Sequence, residues 1–326
     1  MRRRDFLLAL GGTATANTWP VATRAQSKVA RIGFLGSATA ATSAQSVGAL
    51  RDGLNALGYV EGKNVVMEFR WAEGKYEQLP KLVTELIRRN VDVLVTHGTP
   101  GTQTAKRATT DIPIVMAISG DAVATGIVTN LGRPEANVTG STFFLPELNA
   151  KRLELLVEVL PHVTHVGALS NPNNPVSKPI FPAMQAAAAP LRLQIEAFQV
   201  SGPSEFDGAF AAIARSHVDA VAVTEDGEFA ASFKAIAALA LRNKLPSIGS
   251  KEYAEAGGLI GYGVNILDLY RRAAYFIDKI LKGAKPAELP IEQPTRFEFV
   301  INLNTARTLG LNIPPMLLTR ADKVIE

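Results

Sequence analysis

Val91-Asp92-Val93-Leu94-Val95-Thr96-His97-Gly98-Thr99-Pro100 is a Val-rich, mostly apolar run that ends in small and polar residues. A strand of this kind has no polar face, so both of its faces must be covered by other elements. A helical pattern follows at 101 to 110, and Ile112–Ile118 is a second apolar run. The same arrangement returns further on. Val218-Asp219-Ala220-Val221-Ala222-Val223-Thr224 again opens on Val-Asp, ends in a polar loop and precedes a helix. A Leu-Pro strand at 245 to 249 then stands where the first copy has Ile-Pro at 112 to 116. Little else matches between the two, so the echo is one of structure and not a tandem sequence repeat.

Outward from these two runs the alternation continues. Arg31-Ile32-Gly33-Phe34-Leu35-Gly36 predicts a strand, and residues 44 to 58 set Val47, Leu50, Leu54 and Leu57 at helical spacing. Val65–Phe69 predicts the next strand and 76 to 90 the next helix. From residue 147 the series restarts: helix 147 to 160, strand Val166–Ser170, helix 177 to 190, strand Leu193–Val200 and helix 204 to 215. Helix 228 to 243 and strand Pro246–Ser250 close it. Apolar strands alternating with helices predict the α/β class, with two doubly wound parallel-sheet lobes.

In such sheets ligands bind outside the carboxyl ends of the strands. The loops placed there are Gly36-Ser37, Gly98-Thr99-Pro100, Ser119-Gly120-Asp121, Ser170-Asn171-Pro172, Thr224-Glu225-Asp226 and Tyr262-Gly263-Val264-Asn265. Each joins small residues, which admit a ligand close to backbone N–H groups, to a side chain able to form hydrogen bonds. Each alone reads equally well as a solvated turn or a helix cap, Ser119, Asp121 and Asn171 above all. As a set they would face one cleft.

The N-terminus predicts export. Arg2, Arg3 and Arg4 precede a short apolar stretch, Leu8-Ala9-Leu10-Gly11-Gly12, too short for the about 20 residues that span a bilayer. Arg3-Arg4-x-Phe6-Leu7 resembles the twin-arginine signal for folded cargo, a Sec signal being the alternative, with cleavage expected after Ala25 at Thr23-Arg24-Ala25 and Ala14-Thr15-Ala16 as the second choice. A periplasmic location follows. Of 34 basic and 30 acidic side chains, residues 1 to 25 hold four Arg and one Asp, which leaves 30 against 29. The near-neutral remainder removes the main support for nucleic-acid binding. No cysteine is present, which excludes disulfides, thiolate metal sites and Cys nucleophiles.

Several ordered motifs resemble one family: Tyr59-Val60-Glu61-Gly62-Lys63-Asn64-Val65, Gly98-Thr99-Pro100, Ile112-Pro113-Ile114-Val115, Asn137-Val138-Thr139-Gly140, Tyr262-Gly263-Val264, Ile280-Leu281-Lys282-Gly283 with Pro286, and Arg320-Ala321-Asp322-Lys323-Val324-Ile325-Glu326. Their order and spacing are similar to the ABC-transporter substrate-binding proteins related to tryptophan-type periplasmic binding proteins. The resemblance implies a type I periplasmic-binding-protein fold whose chain crosses between lobes three times. Lobe one would be 29–143 plus 265–291, and lobe two 144–264 plus 292–326. It also implies a small polar solute such as an amino acid, captured between closing lobes and handed by a monomer to permease and ATPase subunits.

The resemblance carries over residue by residue to Thr99 and Pro100 of the Gly-Thr-Pro loop, Asp121 after the Ile-Pro strand and Asn171 of the Asn-Pro turn. It extends to Asp226 at the end of the second Val-Asp strand and to Gly263 and Asn265 of the Tyr-Gly-Val loop. With Gly36 and Ser37 these are the expected ligand-binding residues, Asp226 first and Asp121 second as the partner of a solute ammonium. Two departures alter the expected lining. Ser37-Ala38-Thr39-Ala40-Ala41-Thr42 replaces a His-Pro-containing loop. Asp226-Gly227 replaces Asp-Asn, and Asn265 stands where Asp is usual. Both weigh against an aromatic amino acid as the ligand.

An enzyme is the competing class, because the same alternation builds dehydrogenases and hydrolases. Gly33-Phe34-Leu35-Gly36-Ser37-Ala38 lacks the G-x-G-x-x-G spacing of a dinucleotide site, and no G-x-S-x-G elbow occurs. A solute-binding sensor is a third class. His162, His165 and His217 have no ligand cluster around them, and Glu225, Asp226 and Glu228 lack calcium-loop spacing. No metal and no cofactor is expected.

Overall fold

A computed structural model describes residues 29–134 and 136–326, and the expected signal segment lies outside them. The first sheet takes its strands from β1 (Ala30–Gly36), β2 (Val65–Trp71), β3 (Val93–His97), β4 (Ile114–Gly120) and β5 (Val138–Phe143). All are parallel, in the order β2-β1-β3-β4-β5. Helix α1 (Ala44–Ala56) covers one face, and α2 (Leu79–Arg88) and α3 (Thr99–Ala108) cover the other. Leu35, Val83, Leu86, Leu94 and Ile114 form the core beneath α2 and α3. The run that begins at Val91 is therefore a strand buried on both faces, as its composition requires.

The second sheet follows α4 (Leu145–Val159). It contains β6 (His165–Ser170), β7 (Gln194–Gln199), β8 (Ala220–Val223), β9 (Ser247–Gly249), β10 (Ile260–Val264), β11 (Phe297–Asn302) and β12 (Lys323–Ile325). The order is β12-β11-β10-β9-β8-β6-β7. Helices α4 and α5 (Ser177–Ala188) lie against one face. The other face carries α6 (Phe206–Arg215) and α7 (Gly227–Arg242), with Phe206, Phe210, Phe229 and Ile236 in its core.

Two features depart from the expected pattern. Tyr262-Gly263-Val264, expected as a loop beyond a strand, is the strand β10 itself. Glycines at 261 and 263 interrupt its apolar run, as Gly140 interrupts β5, and hide both from a search for β-branched runs. The sheet is also not wholly parallel, because β11 pairs antiparallel with β10. Between them the chain leaves the second sheet, runs along the first and comes back from the opposite direction.

That excursion is α9 (Ile266–Leu281) and residues 282–296. Tyr270, Ala273, Ala274 and Ile277 lie on one helical stripe and are buried against α1, β4 and β5. The two helices cross at Gly53, where a Cβ would stand 2.8 Å from Ala274 Cβ and 2.9 Å from the Arg271 carbonyl. Glu292 then hydrogen-bonds through its backbone to Gly140 and Thr142. Short helices α8 (Lys251–Glu255), α10 (Leu303–Leu309) and α11 (Pro315–Arg320) complete the second sheet's surroundings.

A candidate solute cleft between the two sheets

The carboxyl ends of both sheets meet at a cavity of about 220 Å³, walled by loops and helix starts from each side. Ser37, which directly follows β1, is buried and donates to the His97 carbonyl at 2.8 Å. Thr99 and Ser119 share a hydroxyl contact at 3.1 Å, and Gly120 N–H donates to Thr99 Oγ1 at 3.2 Å. Neither α1 nor α3 has a side-chain cap on its first turn. Both helices begin on the cavity wall, so the first sheet offers hydroxyls and helix starts without side-chain caps, an arrangement that favours an anion.

The second sheet brings carboxylates. Glu225 follows β8, and Glu252 lies on α8. Arg152 of α4, only 3 % exposed, is ion-paired with Glu225 and donates from Nε to the Tyr262 carbonyl at 2.8 Å. The other carboxylate oxygen of Glu225 is buried and makes no hydrogen bond among the described residues. Burial pushes the Glu252 carboxyl above the ordinary carboxylate range. Lys251 is held by Glu298 at 2.7 Å. Phe143, Val176, Phe233 and Leu267 supply apolar wall between the two polar ends.

Of the residues expected from sequence, Ser37, Thr99, Pro100 and Asp226 line this cavity. The other five do not line it, each for a local reason. Gly36 is the last residue of β1, where a Cβ would lie 2.2 Å from the Trp71 ring. Asp121 accepts from Ala124 N–H at 2.9 Å and caps its own turn. Asn171 faces a neighbouring cavity and donates to Asp226 at 3.2 Å. Gly263 pairs with Glu298 inside the sheet. Asn265 caps α9 by accepting from Asp268 N–H at 3.0 Å. Asp226 itself is saturated by protein donors. Its Oδ1 accepts from the N–H groups of Glu228 and Phe229, and its Oδ2 from Tyr76 and Asn174.

Sequence reasoning passed over Tyr76, Asn174 and Glu252, none of which ends a strand. It took His97 as a strand end in preference to an esterase oxyanion loop. His97 lies on the cavity wall with Nδ1 at 2.6 Å from the Tyr270 hydroxyl, and burial lowers its pKa from 6.5 to about 4. The unfolded chain therefore takes this proton first as pH falls. The contribution to stability is full above pH 6.5 and is lost towards pH 4, amounting to about 3 kcal/mol over the window. Urea unfolding at neutral and acidic pH should show a smaller acid loss for His97→Gln than for the parent.

Comparison with known proteins agrees with this geometry. The profile of a family described as ABC transporter substrate binding protein matches residues 38–325. The chain belongs to that family. It is 26% identical over 255 residues to the tyrosine-binding protein of Clostridioides difficile (strain R20291), covering 78% of this chain and 73% of that one. The ABC domain in complex with L-Trp from Streptococcus pneumoniae superposes with a TM-score of 0.85 at 30% identity, covering 91% of this chain and 99% of that one. A conserved domain protein from Vibrio cholerae gives a TM-score of 0.87 at 28% identity, covering 91% and 100%. The fold is that of the type I periplasmic binding proteins. This substrate-binding protein is thus the solute-capturing component of an ABC transporter, and a permease is its implied partner. Among the described residues no helix is long and apolar enough to cross a membrane.

Proposed function

We propose that this substrate-binding protein captures an amino acid or a similar small zwitterion, with the solute carboxylate at the α1 and α3 starts and its ammonium on Glu225. The observation that supports this most is the polarity of the cleft: uncapped helix starts and hydroxyls on one side, and an unpartnered buried carboxylate oxygen on the other. Glu225 replaces Asp226 as the ammonium contact because every lone-pair direction of Asp226 towards the protein is already used. The two relatives that carry tyrosine and tryptophan in their names make aromatic amino acids the first probes.

Closure follows from differential affinity. A solute that touches both lobes stabilises the closed form, which the permease recognises. The lobes we assign are 29–143 with 265–291 and 144–264 with 292–326. Export by a twin-arginine signal cleaved after Ala25 would place the mature protein in the periplasm, where it acts as a monomer. The role is one of binding and not of turnover.

A thermal-shift screen of the mature chain against amino acids, small carboxylates, sugars and purines tests the reading. A solute at about 100 times its dissociation constant adds about 2.7 kcal/mol to stability, a clear shift. Glu225→Gln is expected to weaken amino-acid binding at least about tenfold, by loss of a charge-assisted contact. Neutral sugars that bind while every amino acid fails would overturn the assignment.

A further inference from the structure

We propose that Tyr76 is the latch of the cleft: its one hydroxyl fastens the first lobe to the start of α7 in the second, by donating to Asp226 and accepting from Gly227. The inference rests on the solute-binding reading for its purpose, but the geometry is independent of which solute is bound. Tyr76 hangs from the turn between β2 and α2. Its O–H donates to Asp226 Oδ2 at 2.8 Å, and its oxygen accepts from Gly227 N–H at 3.0 Å.

The acceptor is fixed before the tyrosine arrives. Asn174 donates to Asp226 at 3.0 Å and Asn171 at 3.2 Å, while the N–H groups of Glu228 and Phe229 hold Oδ1. All four donors come from the second lobe, so of the hydrogen bonds to Asp226 an opening motion breaks the one from Tyr76, and with it the bond that Gly227 N–H donates to Tyr76. Burial beside Asp226 keeps the phenol protonated, and hence a donor. Gly227 is what lets the surfaces meet. A Cβ there would lie 3.2 Å from the Tyr76 hydroxyl and 3.2 Å from Ser37 Cβ.

The position of the ring gives the latch its effect. A second, polar cavity of about 440 Å³ lies outside the solute cleft, between Gly74 and Glu77 on one side and Asn171, Ser201 and Glu228 on the other. Tyr76 is the residue that lines both. Its ring therefore stands between the solute cleft and this second, outer cavity, and its hydroxyl holds it there. The latch adds the same increment to the closed state whatever solute is enclosed, and slows the escape of each.

The chain has no cysteine, so two can be introduced and spin-labelled without interference. Gln78→Cys and Ser204→Cys place exposed labels on the two lobes beside the outer cavity. Pulsed EPR of the solute-free protein is expected to show a short, closed distance population. Tyr76→Phe, which keeps the ring, should lower the closed-to-open ratio roughly tenfold, the usual worth of a hydrogen bond to a charged group. Gly227→Ala, which props the same contact apart, should act in the same direction. A solute-free parent that is wholly open, or a ratio unchanged in both variants, overturns the proposal. Failure of amino acids in the thermal-shift screen would leave this distance measurement intact, so the two readings fail separately.

Discussion

Arg152→Met is expected to destabilise the protein by about 3 kcal/mol, because it leaves Glu225 in the cleft wall without its cation. Arg152 is 3 % exposed and the Glu225 side chain 22 %, so the pair is largely but not wholly withdrawn from water. That partial access sets the expected loss at the lower end of what breaking a buried ion pair costs. The guanidinium also ties α4 to the β10 backbone through Tyr262, so the variant loosens the first helix after the crossing from β5. Adding Glu225→Met should restore most of the loss, since no unpaired charge then remains. Urea unfolding of the single and double variants checks this, and a single variant within about 0.5 kcal/mol of the parent would remove the pair as a stabilising element. Amino-acid affinity should fall in the single variant as well, because Arg152 is what aims Glu225.

The second large effect is expected at Gly140. Its φ is +120°, and a Cβ would lie 2.2 Å from the Met116 carbonyl oxygen and 2.6 Å from the Met116 nitrogen. Neither neighbour is a flexible side chain that could give way. Gly140→Ala should therefore cost about 4 kcal/mol or more, lowering the melting temperature by roughly 10 °C. The site is close to the cleft in consequence if not in distance. The β4–β5 register shifts between Met116 and Ser119, and this irregular stretch directs Ile118, Ser119 and Phe143 into the cavity wall. Gly208→Ala in α6 is the control, since its Cβ would meet nothing within 4 Å. Replacing a helical glycine there should be neutral or slightly stabilising.

The fold was legible wherever a strand is buried on both faces. Val93–His97 and Ala220–Val223 announce themselves as short apolar runs rich in Val, and the helices between them by spacing. What escaped were β5 and β10, where Gly140 and Gly261, required by close backbone neighbours, dilute the apolar signal, and the elements from α9 onward, among them β11, whose direction depends on the return path through α9. The cleft was legible as a set of strand-end loops. Which side chain in each loop faces the solute was not, because capping and ligand binding call for the same residue types. Asp121, Asn265 and Asp226 illustrate this: each ends a strand with an oxygen, and each gives that oxygen to the backbone of the next turn. Glu225, one residue before the cap, is the one left with an oxygen to offer. Tyr76 carries no local signature at all, since its partners lie 150 residues away in the chain.

The chain passes from one sheet to the other at three places: after β5, between β10 and α9, and before β11. A single tether would let the two bodies twist freely about it and meet in any rotational setting. Three tethers side by side remove that freedom and leave bending as the easy motion. Each closing stroke then returns the Tyr76 hydroxyl to the same carboxylate without an orientational search.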